Sequence, residues 1–257
     1  MLYLLRMIDP IEETSEGLHN AFSTSGKHLS YMAAIINNDA NFICNGVLVS
    51  DRFVLTAAKC IYPHMLNPYS HLTVITGTHL YDIEQNNVNN QTFTKSEILK
   101  VYLTAKWSKN LDKRNHIVLI KLAAPIPITE KQKPISLPEK PPPDNVYGLV
   151  TGWGTFGENY TTSSSLNYLH VKFSHKFCKD TSSFKTQTYH LCSNRMWSDS
   201  EYHCAGSNGS PLVYNKTLIA LAISDTPCIK GGRDIFTSVY HFKYILYEEL
   251  EVTNTEG

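Results

Sequence analysis

The stretch YHCAGSNGSPLVYN, residues 202–215, has the make-up of a nucleophile turn: a cysteine leads into a glycine-bearing bend, and the apolar run PLVY leaves it. Acyl-transfer chemistry at such a bend needs a hydroxyl or thiol at the apex, a base to take its proton, and a carboxylate to orient the base. The apex is Asn208, whose carboxamide does not attack carbonyls. Hydroxyls stand at Ser207 and Ser210, but neighbours of an apex residue point along different lines, so neither inherits the line of attack. His116, grouped with His203 or His64, is the raw material of a metal centre. No H-x-x-x-H pair or His/Asp cluster accompanies them, so the sequence predicts neither a metal nor a cofactor.

The elements that must carry this turn read as strands. Short runs rich in Val, Ile, Leu and Tyr recur from GVLVS through RFVLTAA, LTVITG, ILKVYLT, HIVLIKLA, YGLVTGWG, LNYLHVKF and LIALAIS to DIFTSVY. Many short strands without long amphipathic helices between them predict an all-β barrel or sandwich. Residues 1–28 lack periodicity and read as a loose lead-in; residues 29–257 read as one domain made of two halves, about 29–129 and 146–240. Between the halves, EKQKPISLPEKPPPDN, residues 130–145, is too proline-dense for a regular ladder and reads as an extended strap. In the tail, Phe242, Ile245, Leu246 and Leu250 fall on one helical face with Glu248, Glu249 and Glu251 outward, which predicts a docking helix at about 241–251.

Composition narrows the setting. Lys plus Arg and Asp plus Glu number 23 each, so no net field draws nucleic acid or an anionic membrane. No apolar run reaches the length of a membrane span. The start, MLYLLRMIDP, is too short and too broken by Arg6 for a full signal peptide. Six cysteines with no C-x-x-C pair allow 15 connectivities and argue against zinc or thioredoxin motifs. Asn90, Asn159 and Asn215 begin N-x-[ST] sequons suited to glycosylation; Asn208 formally begins another, but an apex packed into a cleft is a poor acceptor. Cysteines and sequons together predict a secreted, extracellular protein.

Four motifs then align in order with one family. VLTAAKC (54–60), NHIVLIKL (115–122), VTGWGT (150–155) and GSNGSPLV (206–213) resemble V-L-T-A-A-H-C, N-D-I-A-L-I-K-L, T-G-W-G and G-D-S-G-G-P-L-V of the chymotrypsin/trypsin-like serine peptidases. The resemblance runs from about Tyr31 to about Leu250. It implies two packed six-stranded antiparallel β-barrels, a short C-terminal α-helix, and the disulfides Cys44–Cys60, Cys178–Cys192 and Cys204–Cys228, each worth roughly 3 kcal/mol in the chain-entropy picture.

Carried over residue by residue, the chemistry is missing. Lys59 stands at the base position, His116 at the carboxylate position and Asn208 at the nucleophile position. The family's mature chain starts I-V-G-G, whose freed ammonium pairs with the Asp of G-D-S. Here that Asp is Ser207, and the equivalent segment reads GLHNAFS. Of the oxyanion turn, Gly206 and Gly209 remain. The specificity-pocket positions hold Tyr202 at the base, Ser224, Asp225 and Thr226 along the wall, and Asp234 where P-G-V-Y has glycine, which implies a narrowed or filled pocket. Lys59 is expected to donate to the Asn208 carboxamide oxygen as a polar plug, with Lys59, His116 and Asn208 converging in one cleft.

These readings predict a secreted, non-catalytic serine protease homologue that binds protein: a protease, a protease inhibitor or another extracellular protein, as cofactor, scaffold or decoy. Two rivals stand beside it. One is an active endopeptidase in which Ser207 or Ser210 works with Lys59 as a displaced dyad. The other is a disulfide-braced extracellular protein with no protease-pathway role.

Overall fold

The structure is a computed structural model, and it describes residues 22–23, 29–61, 69–81, 92–103, 117–153, 155–156, 161–162, 165–180, 188–194, 208–223 and 234–254. Its first element, β1 (Phe22–Ser23), lies within the segment read as a lead-in, whose other residues lie outside the described ones. These two residues pair antiparallel with Tyr168 and Asn167. A two-residue strand has no periodicity to read; its pairing comes from backbone groups that a distant strand edge leaves open.

The apolar runs of the first half close into a barrel. Its strands are β2 (Met32–Asn37), β3 (Phe42–Leu48), β4 (Phe53–Ala57), β5 (Leu72–Thr76), β6 (Thr94–Leu103) and β7 (Ile117–Leu122), paired in the order β2-β3-β4-β7-β6-β5 and back to β2. In the second half, β8 (Val146–Gly152) leads to a small ribbon of β9 (Thr155–Phe156) and β10 (Thr161–Thr162). Then β11 (Asn167–Ser174), β12 (His190–Ser193), β13 (Pro211–Tyr214), β14 (Thr217–Ala222) and β15 (Ile235–Ser238) complete a second ring, β8-β11-β12-β15-β14-β13. The fold is thus two closed six-stranded antiparallel barrels. Closure removes the exposed strand edges that would otherwise invite aggregation.

Both faces of the inner strands are covered, which is why their runs are continuously apolar rather than alternating. Along β2, Met32, Ala34 and Ile36 enter one cluster with Trp153, Val213 and Leu221 of the second barrel. Ala33 and Ile35 enter another with Cys192, Ile223 and Ile235. The seam between the barrels is therefore core.

Residues 130–145 cross that seam by backbone bonds: the Lys133 amide donates to Ser30 and the Ile135 amide to Leu48, while Leu218 donates back to Ser136. A 3₁₀ turn over Tyr240–Phe242 precedes the final helix, α2, at Lys243–Asn254; a short helix, α1 (Ala58–Ile61), ends β4. Set against the expected span of about 241–251, the helix starts later, because Phe242 closes a 3₁₀ turn onto Val239, and it runs on to Asn254. Leu246 is buried on its inward face, with Ile245 and Leu250 packed beside it.

Candidate functional site

The turn at Asn208–Ser210 belongs to the second barrel by sequence, yet its bonds reach into the first. The Gly209 amide donates to the Ala222 carbonyl at 2.9 Å and the Ala222 amide to the Ser210 carbonyl at 2.8 Å, tying the turn to β14. From the other side comes Asn45 of β3, fully buried. Its backbone amide donates to the Asn208 carbonyl at 3.0 Å. Its side-chain Nδ2 donates to Ser210 Oγ at 3.0 Å, and its Oδ1 accepts the Trp153 amide at 2.9 Å. Its carbonyl accepts the Thr56 hydroxyl at 2.7 Å. One asparagine thus joins β3 and β4 of one barrel to the turn and to Trp153 of the other.

The packing around this residue leaves no slack. Gly209 has φ of +81°, the left-handed region that favours glycine, and a Cβ there would fall 1.9 Å from the Asn45 carbonyl oxygen. At Gly152 a Cβ would fall 2.4 Å from Ser210 Oγ and 2.9 Å from Asn45 Nδ2. Trp153 is fully buried, and its indole N–H donates to the His79 carbonyl at 2.8 Å. A second polar pair crosses nearby: buried Tyr31 faces Thr151 of β8. Burial pushes the Tyr31 hydroxyl up to about 12, while the Thr151 hydroxyl acts in the opposite direction. The two hydroxyls approach without completing a well-formed hydrogen bond, so burial dominates.

Lys59 lies half-buried in α1, directly before Cys60, and the Cys44–Cys60 disulfide pins that helix beside Asn45. The expected plug does not form: Asn208 Oδ1 is buried and has no hydrogen-bond partner, so Lys59 does not donate to it. A buried unsatisfied acceptor of this kind costs about 1–3 kcal/mol.

Ser210 is completely buried, with its hydroxyl taken by Asn45. Gly209 uses its amide within the sheet. Asp234, 3 % exposed, opens β15: its amide donates to Ser193 Oγ at 3.1 Å, and its carbonyl accepts the Ser193 amide at 3.0 Å. Asn215 is exposed at the β13–β14 hairpin, where Asn215 and Lys216 both have positive φ, the two-residue turn that twisted hairpins favour. Cys44–Cys60 and Cys178–Cys192 are bonded, with Cα separations of 6.0 and 5.1 Å. The remaining positions singled out in the sequence lie outside the described residues: His64, His116, His203, Gly206, Ser207, Tyr202, Ser224, Asp225, Thr226, Cys204, Cys228, Asn90 and Asn159.

Sequence reasoning passed over Asn45. The signal available was an Asn-Gly pair inside the strand FICNGVL, a dipeptide that ordinarily marks a turn and here sits in a barrel wall.

Comparisons with known proteins agree with this architecture. A family model described as Trypsin matches residues 19–246. The chain is 29% identical over 218 residues to the thrombin-like enzyme CPI-enzyme 2 of Gloydius ussuriensis, spanning 81% of this chain and 78% of that protein. With kallikrein 1-related peptidase b16 of Mus musculus it shares 30% identity over 209 residues, 78% of this chain and 77% of that one. Among solved structures, neuropsin, titled a serine protease expressed in the limbic system of mouse brain, matches with a TM-score of 0.73 at 22% identity, covering 90% of this chain and 98% of that one. That last likeness concerns the fold alone.

Proposed function

The chain belongs to the trypsin family, and we propose that it serves as a secreted, non-catalytic member that works by binding protein. The observation that carries this reading is the residue set at the three chemical positions. Lys59, His116 and Asn208 stand where the family's motifs place base, carboxylate and nucleophile. A lysine and a histidine cannot reproduce an imidazole steered by a carboxylate, and a carboxamide cannot form an acyl-enzyme. The relatives named above are enzymes by name, so the departure lies in this chain's own residues rather than in its lineage.

The seam supports the same reading. A displaced-serine peptidase needs a hydroxyl that reaches substrate, and Ser210 has no exposed surface and is held by Asn45. The binding role rests on what remains: a closed double barrel carrying two disulfides among the described residues, a scaffold on which function changes by surface replacement. The partner class is an extracellular protein, namely a protease, a protease inhibitor or a protease substrate held without cleavage. The disulfides accord with an oxidising compartment.

The test is covalent. Purified chain is treated with a fluorophosphonate probe beside an active trypsin-family peptidase. No labelling of the chain is expected. Labelling that disappears in Ser207→Ala or Ser210→Ala overturns the proposal and establishes the displaced-serine enzyme.

A further inference from the structure

Asn45 does more than fill a seam. Its backbone amide, its carbonyl and both polar atoms of its side chain are engaged, and three of those four bonds are with the turn or the second barrel. Ser210, where the family motif has a second glycine, supplies the acceptor that the Asn45 side chain needs. Residues 22–23 pair away from this turn, with Tyr168 and Asn167 of β11. In the family motif the turn is organised by a freed N-terminal ammonium on an Asp, and that Asp position is Ser207.

We propose that Asn45 is a latch between the barrels: it fixes the 208–210 turn in one arrangement independent of the N-terminal segment, so no proteolytic cut is needed to form the site. The turn is then held from two sides at once, by Asn45 on the first barrel and by Ala222 on β14. Asn45 is a positioning residue. Its effect is on the shape and opening of the turn, whatever the turn binds, so the proposal stands apart from the question of catalysis.

Native-state hydrogen exchange of the full-length chain tests it, read at residues 43–48 and 208–214. In Asn45→Ala, exchange in those two segments is expected to rise about tenfold, a local opening made easier, while residues 72–76 of β5 stay at the wild-type rate. Ser210→Ala is expected to raise exchange in the same segments by a smaller factor. The double variant should go no further than Asn45→Ala, because both changes remove the same bond. Phe22→Pro with Ser23→Pro, which strips β1 of its amide donors, is expected to leave 208–214 unchanged.

Three results overturn the latch: no change at 208–214 in Asn45→Ala, an equal rise across both barrels, or a rise at 208–214 in the β1 variant as large as that of Asn45→Ala. If Asn45→Ala does not accumulate as folded protein, Ser210→Ala carries the test. Wild-type exchange at 43–48 in that variant then refutes the proposal.

Discussion

Replacing Gly209 with alanine probes the seam at its tightest point. Two effects add. Holding a residue with a side chain at φ of +81° costs about 1–2 kcal/mol. The new methyl would also fall 1.9 Å from the Asn45 carbonyl oxygen. That oxygen is backbone, fixed by the Thr56 hydroxyl at 2.7 Å, and the same residue's amide holds the Asn208 carbonyl at 3.0 Å. Moving it loosens both bonds, at roughly 0.5–1.5 kcal/mol each. The total is about 2–5 kcal/mol, a large part of the ~5–15 kcal/mol that holds a typical domain. Gly46→Ala is the matched control: it lacks the positive φ, and the atom its Cβ would meet is a side-chain methyl, Val54 Cγ1 at 2.7 Å, rather than a hydrogen-bonded backbone oxygen. Urea unfolding of the disulfide-intact protein, followed by tryptophan fluorescence, reads both. Gly209→Ala is expected to be the more damaging of the two. A Gly209→Ala chain within about 1 kcal/mol of wild type, or one no worse than Gly46→Ala, refutes the argument that the turn is clamped against β3.

The barrels were readable because their evidence is local and redundant. VLTAAKC, NHIVLIKL and VTGWGT each combine a strand run with a motif, and the runs are apolar at successive positions because both strand faces are buried. What could not be read is how polar atoms are satisfied across the seam. Asn45 meets Ser210 at a separation of 165 residues and Trp153 at 108, so neither bond leaves a trace in any window of sequence. The same blindness explains the expected Lys59–Asn208 contact. Residue types suggested a donor and an acceptor, but pairing across a seam depends on three-dimensional placement, and Asn208 Oδ1 is buried without a partner. β1 escaped for a related reason, since two residues paired through backbone alone carry no side-chain pattern.

Two further outcomes follow from buried groups. Asn208→Ser removes a carboxamide oxygen buried without a donor, so thermal melting should show stability equal to wild type or higher by about 1–3 kcal/mol; a marked loss contradicts the assignment of that oxygen as unsatisfied. Tyr31 titrates at about 12 in the folded chain against about 10 unfolded, so its stabilising contribution is complete below pH 10 and disappears as pH rises toward 12. By linkage that is roughly 2–3 kcal/mol. Denaturant midpoints measured across that interval should fall for wild type and fall less for Tyr31→Phe; parallel curves for the two proteins would exclude the mechanism.

The central claim is that this trypsin-family fold carries no hydrolytic chemistry at Lys59, His116 and Asn208. The most direct measurement is kcat/KM of the purified full-length chain on a pooled peptide library, beside Lys59→Ala, Ser207→Ala and Ser210→Ala. The account predicts that all four proteins match the buffer background. Cleavage by the wild-type chain that is abolished in any one of the three variants would contradict it.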